Sequence, residues 1–241
     1  MIEAVIFDYG GVLSTTPFAG IGGFERTNGY PKGSLVRLLF GAEREVAGDP
    51  DQNASEAAWR AYDSVALADP EAGHVPDWHL LETGQIGLDE FHDRIVARSP
   101  EVIGATVDGD FYSRFLQSLD VGVHWMMVHR VRELRAEGYR TAILTNNIRE
   151  WADVWKATIP LEPFDVVVDS SEVGLRKPDP AIFRLTCDRL GVAPEAAVFL
   201  DDSPRHVAAA QDVGLLAIVV ADPVEALAEL DEILRRAHRR P

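Results

Sequence analysis

From about Gly122 to the C-terminus, short apolar runs alternate with longer segments whose apolar residues recur at helical spacing. No other feature of the chain constrains its fold as tightly. The short runs are 140–144, 166–168, 197–200 and 216–220, and a fifth, 4–7, stands near the N-terminus. Helical patterns cover 125–137, 150–158, 180–190, about 203–213 and 224–234, with Gly138, Gly191 and Gly214 where helix C-caps fall. The short runs are apolar nearly throughout rather than on alternate residues, which suits strands covered on both faces. Strands alternating with helices predict an α/β fold: a doubly wound, Rossmann-like parallel sheet.

Between about Pro31 and Leu119 the strand signal stops and helical periodicity takes over. Pro31 suits a helix start before Leu35, Val36, Leu38 and Leu39. Ser55 suits an N-cap before Ala57, Ala58, Trp59 and Tyr62. Leu88, Phe91, Ile95 and Val96 mark a further apolar face, and Phe111, Phe115 and Leu119 another. The predicted organisation is a core of residues 1–16 plus 120–241, with a helical cap of residues 17–119 inserted. A chain of 241 residues accommodates both, and we find no internal repeat.

The charge balance narrows the partners. With 23 Lys plus Arg against 39 Asp plus Glu, the formal charge is −16, which argues against nucleic acid and anionic membrane. An anionic substrate would be repelled over most of such a surface, so a local cation has to draw it in. A single cysteine, Cys187, allows no internal disulfide and points to a reducing cytoplasm. No run of 18 apolar residues is present, and the N-terminus lacks the basic lead and long apolar stretch of a secretory signal. The expected partner is a small molecule; monomer and homodimer both remain open. The basic tail, Arg235-Arg236-Ala237-His238-Arg239-Arg240, reads as a solvated helix end favoured by the helix dipole.

Ligands of an open parallel sheet sit at the carboxyl ends of its strands. Three predicted strand ends carry reactive groups: Asp8, then Thr145-Asn146-Asn147, then Asp201-Asp202. Lys177 lies between the latter two, in Gly174-Leu175-Arg176-Lys177-Pro178-Asp179. A carboxylate nucleophile, a hydroxyl, an ammonium and an acidic pair suit phosphoryl transfer through an aspartyl phosphate, with Mg²⁺ held by carboxylates.

These segments resemble, in order, the motifs of the haloacid dehalogenase-like hydrolase superfamily. Phe7-Asp8-Tyr9-Gly10-Gly11-Val12-Leu13 is similar to the first, Ile143-Leu144-Thr145-Asn146-Asn147 to the second, Lys177-Pro178-Asp179 with Ile182-Phe183 to the third, and Val198-Phe199-Leu200-Asp201-Asp202-Ser203 to the fourth. The helical stretch lies where the subfamily with an α-helical cap (C1, IA-like) carries its insertion, and Leu81-Glu82-Thr83-Gly84-Gln85-Ile86 with Glu90-Phe91 resembles cap sequence. The resemblance implies a Mg²⁺-dependent hydrolase, foremost a phosphatase of a small phosphorylated metabolite such as a sugar phosphate, over whose site the cap closes. It makes Asp8 the nucleophile and a metal ligand, the carbonyl of Gly10 a second ligand, and Asp202 a third, with Asp201 beside it directly or through water. Thr145, Asn146 (through its backbone), Gly11 and Lys177 would bind phosphate, and Lys177 would also stabilise Asp8.

One position departs from the family. Its phosphatases usually carry an aspartate two residues after the nucleophile as general acid and base, and here that residue is Gly10. Loss of such a group typically costs about 10²–10⁴-fold. Three readings accommodate this: a substrate with a good leaving group, a substitute side chain from the cap or from Ser14 to Thr16, or a slow enzyme or phosphometabolite binder. Metal-independent dehalogenase chemistry is a further alternative, although the Tyr that often stands at this place in dehalogenases is absent. Tyr9 is one residue early and should point the other way. Elsewhere, Asp169 and Glu172 read as a solvated loop, and Trp59 and Trp125 as core; His206, one helical turn after Asp202, could face the site but reads better as a helix-surface residue. His74, His79 and Trp78 read as packing or incidental exposure rather than a pocket lining.

Overall fold

Ala4–Phe7, four consecutive apolar residues, form β1, the middle strand of a five-stranded parallel sheet in the order β3-β2-β1-β4-β5. In this computed structural model the other strands are β2 Arg140–Thr145, β3 Val166–Asp169, β4 Ala197–Asp201 and β5 Leu216–Val219. The structure describes residues 1–16, 20–40, 75–119 and 121–238. Its α-helices, numbered within those residues, are α1 Ile21–Asn28, α2 Ser34–Phe40, α3 Asp77–Glu82, α4 Leu88–Ile103, α5 Phe111–Gln117, α6 Trp125–Ala136, α7 Ala152–Lys156, α8 Ser170–Val173, α9 Pro180–Leu190, α10 Pro204–Val213 and α11 Pro223–His238. None is long and apolar enough to cross a membrane. The described chain divides into two compact units, Met1–Thr15 with Gly122–Pro241, and Thr16–Val121.

In the first unit the strands are apolar on both faces because both are covered. Val5 and Phe7 pack in one cluster with Met127, Val128, Val131 and Leu134 of α6 and Leu230 and Leu234 of α11. Ala4 and Ile6, one residue out of phase, pack in a second cluster with Ile182, Phe183 and Leu190 of α9 and Ala210 of α10. Period-2 alternation thus splits one short strand between two cores. Burying a Phe or Ile side chain contributes about 1.5–3 kcal/mol, so both layers draw on the same four residues. The fold is therefore a doubly wound α/β sheet, as the alternating pattern predicts.

Helix boundaries follow local chemistry. Asp179 accepts a hydrogen bond from the Ala181 N–H at 2.8 Å and Pro180 opens α9, which Gly191 ends at φ 68°. Ser203 caps α10, Pro204 opens it, and Gly214 closes it at φ 108°. The predicted helix over 150–158 is shorter, a 3-10 turn Arg149–Trp151 running into α7. Trp125, expected in the core, is 52% exposed, because it begins α6 off the stripe formed by Met127, Val128, Val131 and Leu134.

The elements among the second unit's described residues are all helices. Glu25 accepts from the N–H groups of Gly33 (2.9 Å) and Leu35 (2.8 Å), which starts α2 just beyond Pro31. Leu35, Val36, Leu38 and Leu39 are buried, as their spacing requires. Phe24 meets Phe111 and Phe115 edge-on, at 5.8 and 5.5 Å. Trp78 lies edge-on to Phe40 and Phe91 and donates to Glu82 at 2.8 Å, so it is a packing residue, and His79 beside it is buried too. The expectations for Ser55, Trp59 and His74 lie outside the described residues.

Candidate active site

Sheet register sets the site. Phe7 pairs with Leu200 on one side and Ile143 on the other, so the next residues, Asp8, Asp201 and Leu144, emerge level at the carboxyl edge. Asp8 extends the ladder, its N–H donating to the Leu200 carbonyl at 2.9 Å. Thr145 ends β2 level with Asp169 of β3. The middle of the strand order, where the chain winds both ways from β1, is the switch point at which such sheets bind ligands.

Lys177 reaches this edge from the loop before α9, fully buried, and its Nζ stands 2.8 Å from Asp8 Oδ1 and 2.6 Å from Asp201 Oδ2. Its backbone is held by Asn146, whose Oδ1 accepts the Lys177 N–H at 2.8 Å and whose Nδ2 donates to the Lys177 carbonyl at 3.0 Å. The second motif therefore fixes the third through a side-chain amide, a contact that spacing alone does not reveal. Nζ also lies 5.5 Å from the Phe199 ring centroid, an apolar neighbour that leaves the two carboxylates to place the charge.

The acidic pair is asymmetric. Asp201 is fully buried and its oxygens meet three donors: the Ser203 N–H at 2.8 Å and His206 Nδ1 at 3.0 Å on Oδ1, and Lys177 on Oδ2. Asp202 is the opposite case: its Oδ1 is buried with no hydrogen-bond partner. Gly11 lies against the same carboxyl. At φ +82°, a Cβ there would stand 2.0 Å from Asp202 Oδ2, so only glycine fits both the backbone and the space.

Titration follows from this layout. Burial pushes the Asp8 carboxyl up to about 7, against the pull of Lys177 and with a further push from Asp201. Burial, then Asp201 and Asp8, hold Asp202 well above the usual carboxylate range. Asp201 goes the other way: burial raises it, and Lys177 and His206 more than offset that, keeping it ionised. Burial likewise disfavours the Lys177 ammonium, and Asp201 and Asp8 outweigh it.

A buried carboxylate oxygen without a donor is costly unless something cationic meets it. Asp8, Asp201 and Asp202 place one oxygen each within 4.8 Å of one another, and when all three are ionised their charges exceed that of Lys177 by two. The orphaned oxygen, the cluster and the excess charge together fit a divalent cation with oxygen ligands.

The remaining sequence candidates fall as follows. Gly10 lies half-buried two residues past Asp8, in an isolated bridge with Ser14. Thr145 is buried at its strand end. Tyr9 points away from Asp8, its ring 4.9 Å from Trp155 and its hydroxyl 2.7 Å from Thr158 Oγ1. The Ser14 hydroxyl is buried and lies 3.1 Å from the carbonyls of Tyr9 and Thr15, its two acceptors. Two expectations are corrected. His206 is not on the helix surface but 2% exposed against Asp201. Asp169 is not in a solvated loop: it is buried, caps α8, and accepts from Asn147 Nδ2 and Trp155 Nε1 at 3.1 Å each and from the Ser171 N–H and hydroxyl. Glu172 is exposed and pairs with Lys156. The signal for Asp169 was its place at a strand end one residue before a Ser-Ser pair.

The chain matches the haloacid dehalogenase-like hydrolase family over residues 2–214. It is 30% identical over 235 residues to mouse (Mus musculus) acyl-CoA dehydrogenase family member 10, covering 96% of this chain and 19% of that protein. It is 37% identical over 90 residues to phosphoserine phosphatase of Thermus thermophilus, covering 36% of each. The chain thus spans about a fifth and about a third of the lengths of these relatives. A solved Bacteroides thetaiotaomicron HAD family enzyme, in complex with magnesium and inorganic phosphate, superposes with a TM-score of 0.56 at 20% identity, covering 91% of this chain and 94% of that one. Matched along nearly its whole length, the chain belongs to the haloacid dehalogenase-like hydrolase family.

Proposed function

We propose that the protein is a Mg²⁺-dependent phosphatase of a small phosphorylated metabolite, a sugar phosphate being a suitable test class. Asp8 is the nucleophile. The observation that carries this reading is Asp8 itself, a buried carboxylate 2.8 Å from a buried lysine and clustered with an Asp202 oxygen that no donor satisfies. The phosphatase among the relatives and the magnesium and phosphate bound by the structural neighbour support the same choice.

In the proposed reaction an Asp8 oxygen attacks phosphorus in line, the bond to the leaving oxygen breaks, and an aspartyl phosphate forms. Water then attacks phosphorus, releasing inorganic phosphate and restoring the Asp8 carboxylate. Lys177 orients Asp8 and neutralises charge on the transferring group, while Thr145 and the backbone at Asn146 and Gly11 take the other phosphoryl oxygens. Asp8, Asp202 and the Gly10 carbonyl would hold Mg²⁺, which supplies charge neutralisation that lets one anion approach another. Asp201, already shared by three donors, stands behind Lys177. Gly10 offers no proton, so the leaving oxygen departs as an anion protonated by water, which favours leaving groups of low pKa. The lone Cys187 accords with a reducing cytoplasm.

The test is phosphate release from p-nitrophenyl phosphate with Mg²⁺, with EDTA, and with Asp8→Asn. Release that needs the metal and is abolished by the substitution is expected. Chloride release from a 2-haloacid in EDTA would replace this reading with dehalogenation. Phosphate binding with no turnover of a phosphorylated-metabolite panel would replace it with a binding role.

A further inference from the structure

His206 sits in the first turn of α10 and is buried against Asp201. Nothing in the reaction above uses it. Ionised Asp201 only accepts hydrogen bonds, so at 3.0 Å His206 Nδ1 is the donor to Oδ1. The Ser203 N–H donates to that same oxygen at 2.8 Å, and the Ser203 hydroxyl oxygen accepts the His206 N–H at 3.4 Å. The start of α10 thus grips one oxygen of Asp201 from two directions, which fixes the plane of the carboxylate. The other oxygen is then the one that meets Lys177 at 2.6 Å, and Lys177 in turn meets Asp8 at 2.8 Å.

We propose that His206 is a positioning residue: by donating to Asp201 it sets the orientation in which that carboxylate anchors the Lys177 ammonium against Asp8. This rests on the reading of Asp8 and Lys177 as the reacting pair. The Ser203 N–H alone leaves the carboxylate free to turn about its Cβ–Cγ bond; a second donor on the same oxygen removes that freedom. Lys177 has the Phe199 ring beside it, so Asp201 and Asp8 are the contacts that define its charged end. A shift of Lys177 of the order of 1 Å degrades the near-attack geometry. Groups that orient a site residue from behind typically change activity by about 10–100-fold. Asp202 and the Gly10 carbonyl, two of the three proposed cation ligands, lie outside this chain of contacts, so cation binding should survive loss of the His206 donor.

The experiment compares wild type, His206→Leu, which removes the donor, and His206→Gln, which keeps an N–H. Each full-length protein is assayed for kcat and KM on p-nitrophenyl phosphate with Mg²⁺, for its Mg²⁺-induced Tm shift, and by crystallography without metal. The Leu variant should lose kcat by about 10–100-fold with KM little changed. The Gln variant should recover most of it, and all three should keep the Mg²⁺-induced shift. In the Leu crystal Lys177 Nζ should have left hydrogen-bond distance of Asp8. Unchanged kcat in the Leu variant, equal losses in Leu and Gln, or Lys177 still seated against Asp8 in the Leu crystal would each overturn the assignment. If wild type turns over no phosphate ester, the phosphatase reading fails while the crystal distance still decides the role of His206. If the Leu protein does not fold, His206→Met, also without a donor, takes its place in every measurement.

Discussion

Replacing Asp202 by Asn should stabilise the metal-free protein and abolish its response to the cation, a pair of effects with opposite sign. The Asp202 Oδ1 is buried without a partner, and burial, then repulsion by Asp201 and Asp8, disfavours its charged form. An isosteric amide removes that charge and leaves the space beside Gly11 filled as before. The amide keeps a polar atom at that place, so what Asp202→Asn should recover in EDTA is the cost of the buried charge, about 1–3 kcal/mol where Asp202 is ionised. For a protein of this length each kcal/mol moves Tm by roughly 2–4 °C. In Mg²⁺ the comparison inverts. A ligand at 100 times its Kd stabilises the folded state by about 2.7 kcal/mol, which wild type gains and the variant loses. The assay is differential scanning fluorimetry of both proteins in EDTA and across a Mg²⁺ titration, at alkaline pH to favour the ionised carboxylates. A variant that melts lower than wild type in EDTA and still shifts upward with Mg²⁺ would refute the reasoning, because Asp202 would then be neither uncompensated nor a ligand.

Other outcomes follow from the same geometry. The Asp8 carboxyl, raised by burial from its ordinary 3.8 to about 7, binds its proton more tightly folded than unfolded. Its contribution to metal-free stability is therefore complete below about pH 4 and lost as pH rises through about 7. The loss is at most about 4 kcal/mol, and Asp8→Asn should flatten that part of a Tm-against-pH curve in EDTA. Gly11→Ala places a Cβ 2.0 Å from Asp202 Oδ2 at a positive φ, so it should cost about 1–3 kcal/mol in chemical denaturation and weaken Mg²⁺ binding measured by calorimetry. Gly10→Asp should speed hydrolysis of alkyl phosphates, which have poor leaving groups, more than that of p-nitrophenyl phosphate; equal effects would mean that protonation of the leaving oxygen does not limit the rate.

The sheet was legible in the sequence because its strands are buried on both faces, which writes them as short uninterrupted apolar runs such as Ala4–Phe7 and residues 197–200. Helices bounded by a side-chain cap and a glycine, such as α9 between Asp179 and Gly191, were legible almost to the residue. Where neither signal operates, the reading slipped. Ser170–Val173 forms a helix too short to show a stripe, and it exists because buried Asp169 caps it. Trp125 is large and apolar, yet its exposure is set by one step of helical phase relative to Met127, which composition does not record. Strand order was not written in the pattern either, since β1 has equal apolar claims on β2 and β4 and lies between both.

The candidate site was legible as a set of residues and illegible as an arrangement, and Asp201 with Asp202 shows why. Adjacent and chemically identical in the sequence, they invite a shared role as ligands. In the fold they diverge because of what surrounds them. Asp201 completes β4 and meets Lys177, Ser203 and His206, while Asp202, one residue on, leaves the strand and meets the backbone of Gly11 with one oxygen unsatisfied. β4 ends at Asp201, so one step of backbone phase at the strand end separates a saturated carboxylate from an open one in the same cluster. The same phase argument governs Tyr9 and Gly10 after Asp8: the tyrosine turns to Trp155, and the position that would carry an acid carries no side chain. Under the proposed phosphatase reading, a site with an open Asp202 oxygen and a buried lysine but no proton donor at Gly10 would activate an electrophile more than assist departure. Substrate choice in such a site is governed by the leaving group, which a rate series over phosphate esters of graded alcohol pKa would measure as a steep slope; a flat one would place a proton donor elsewhere in the protein.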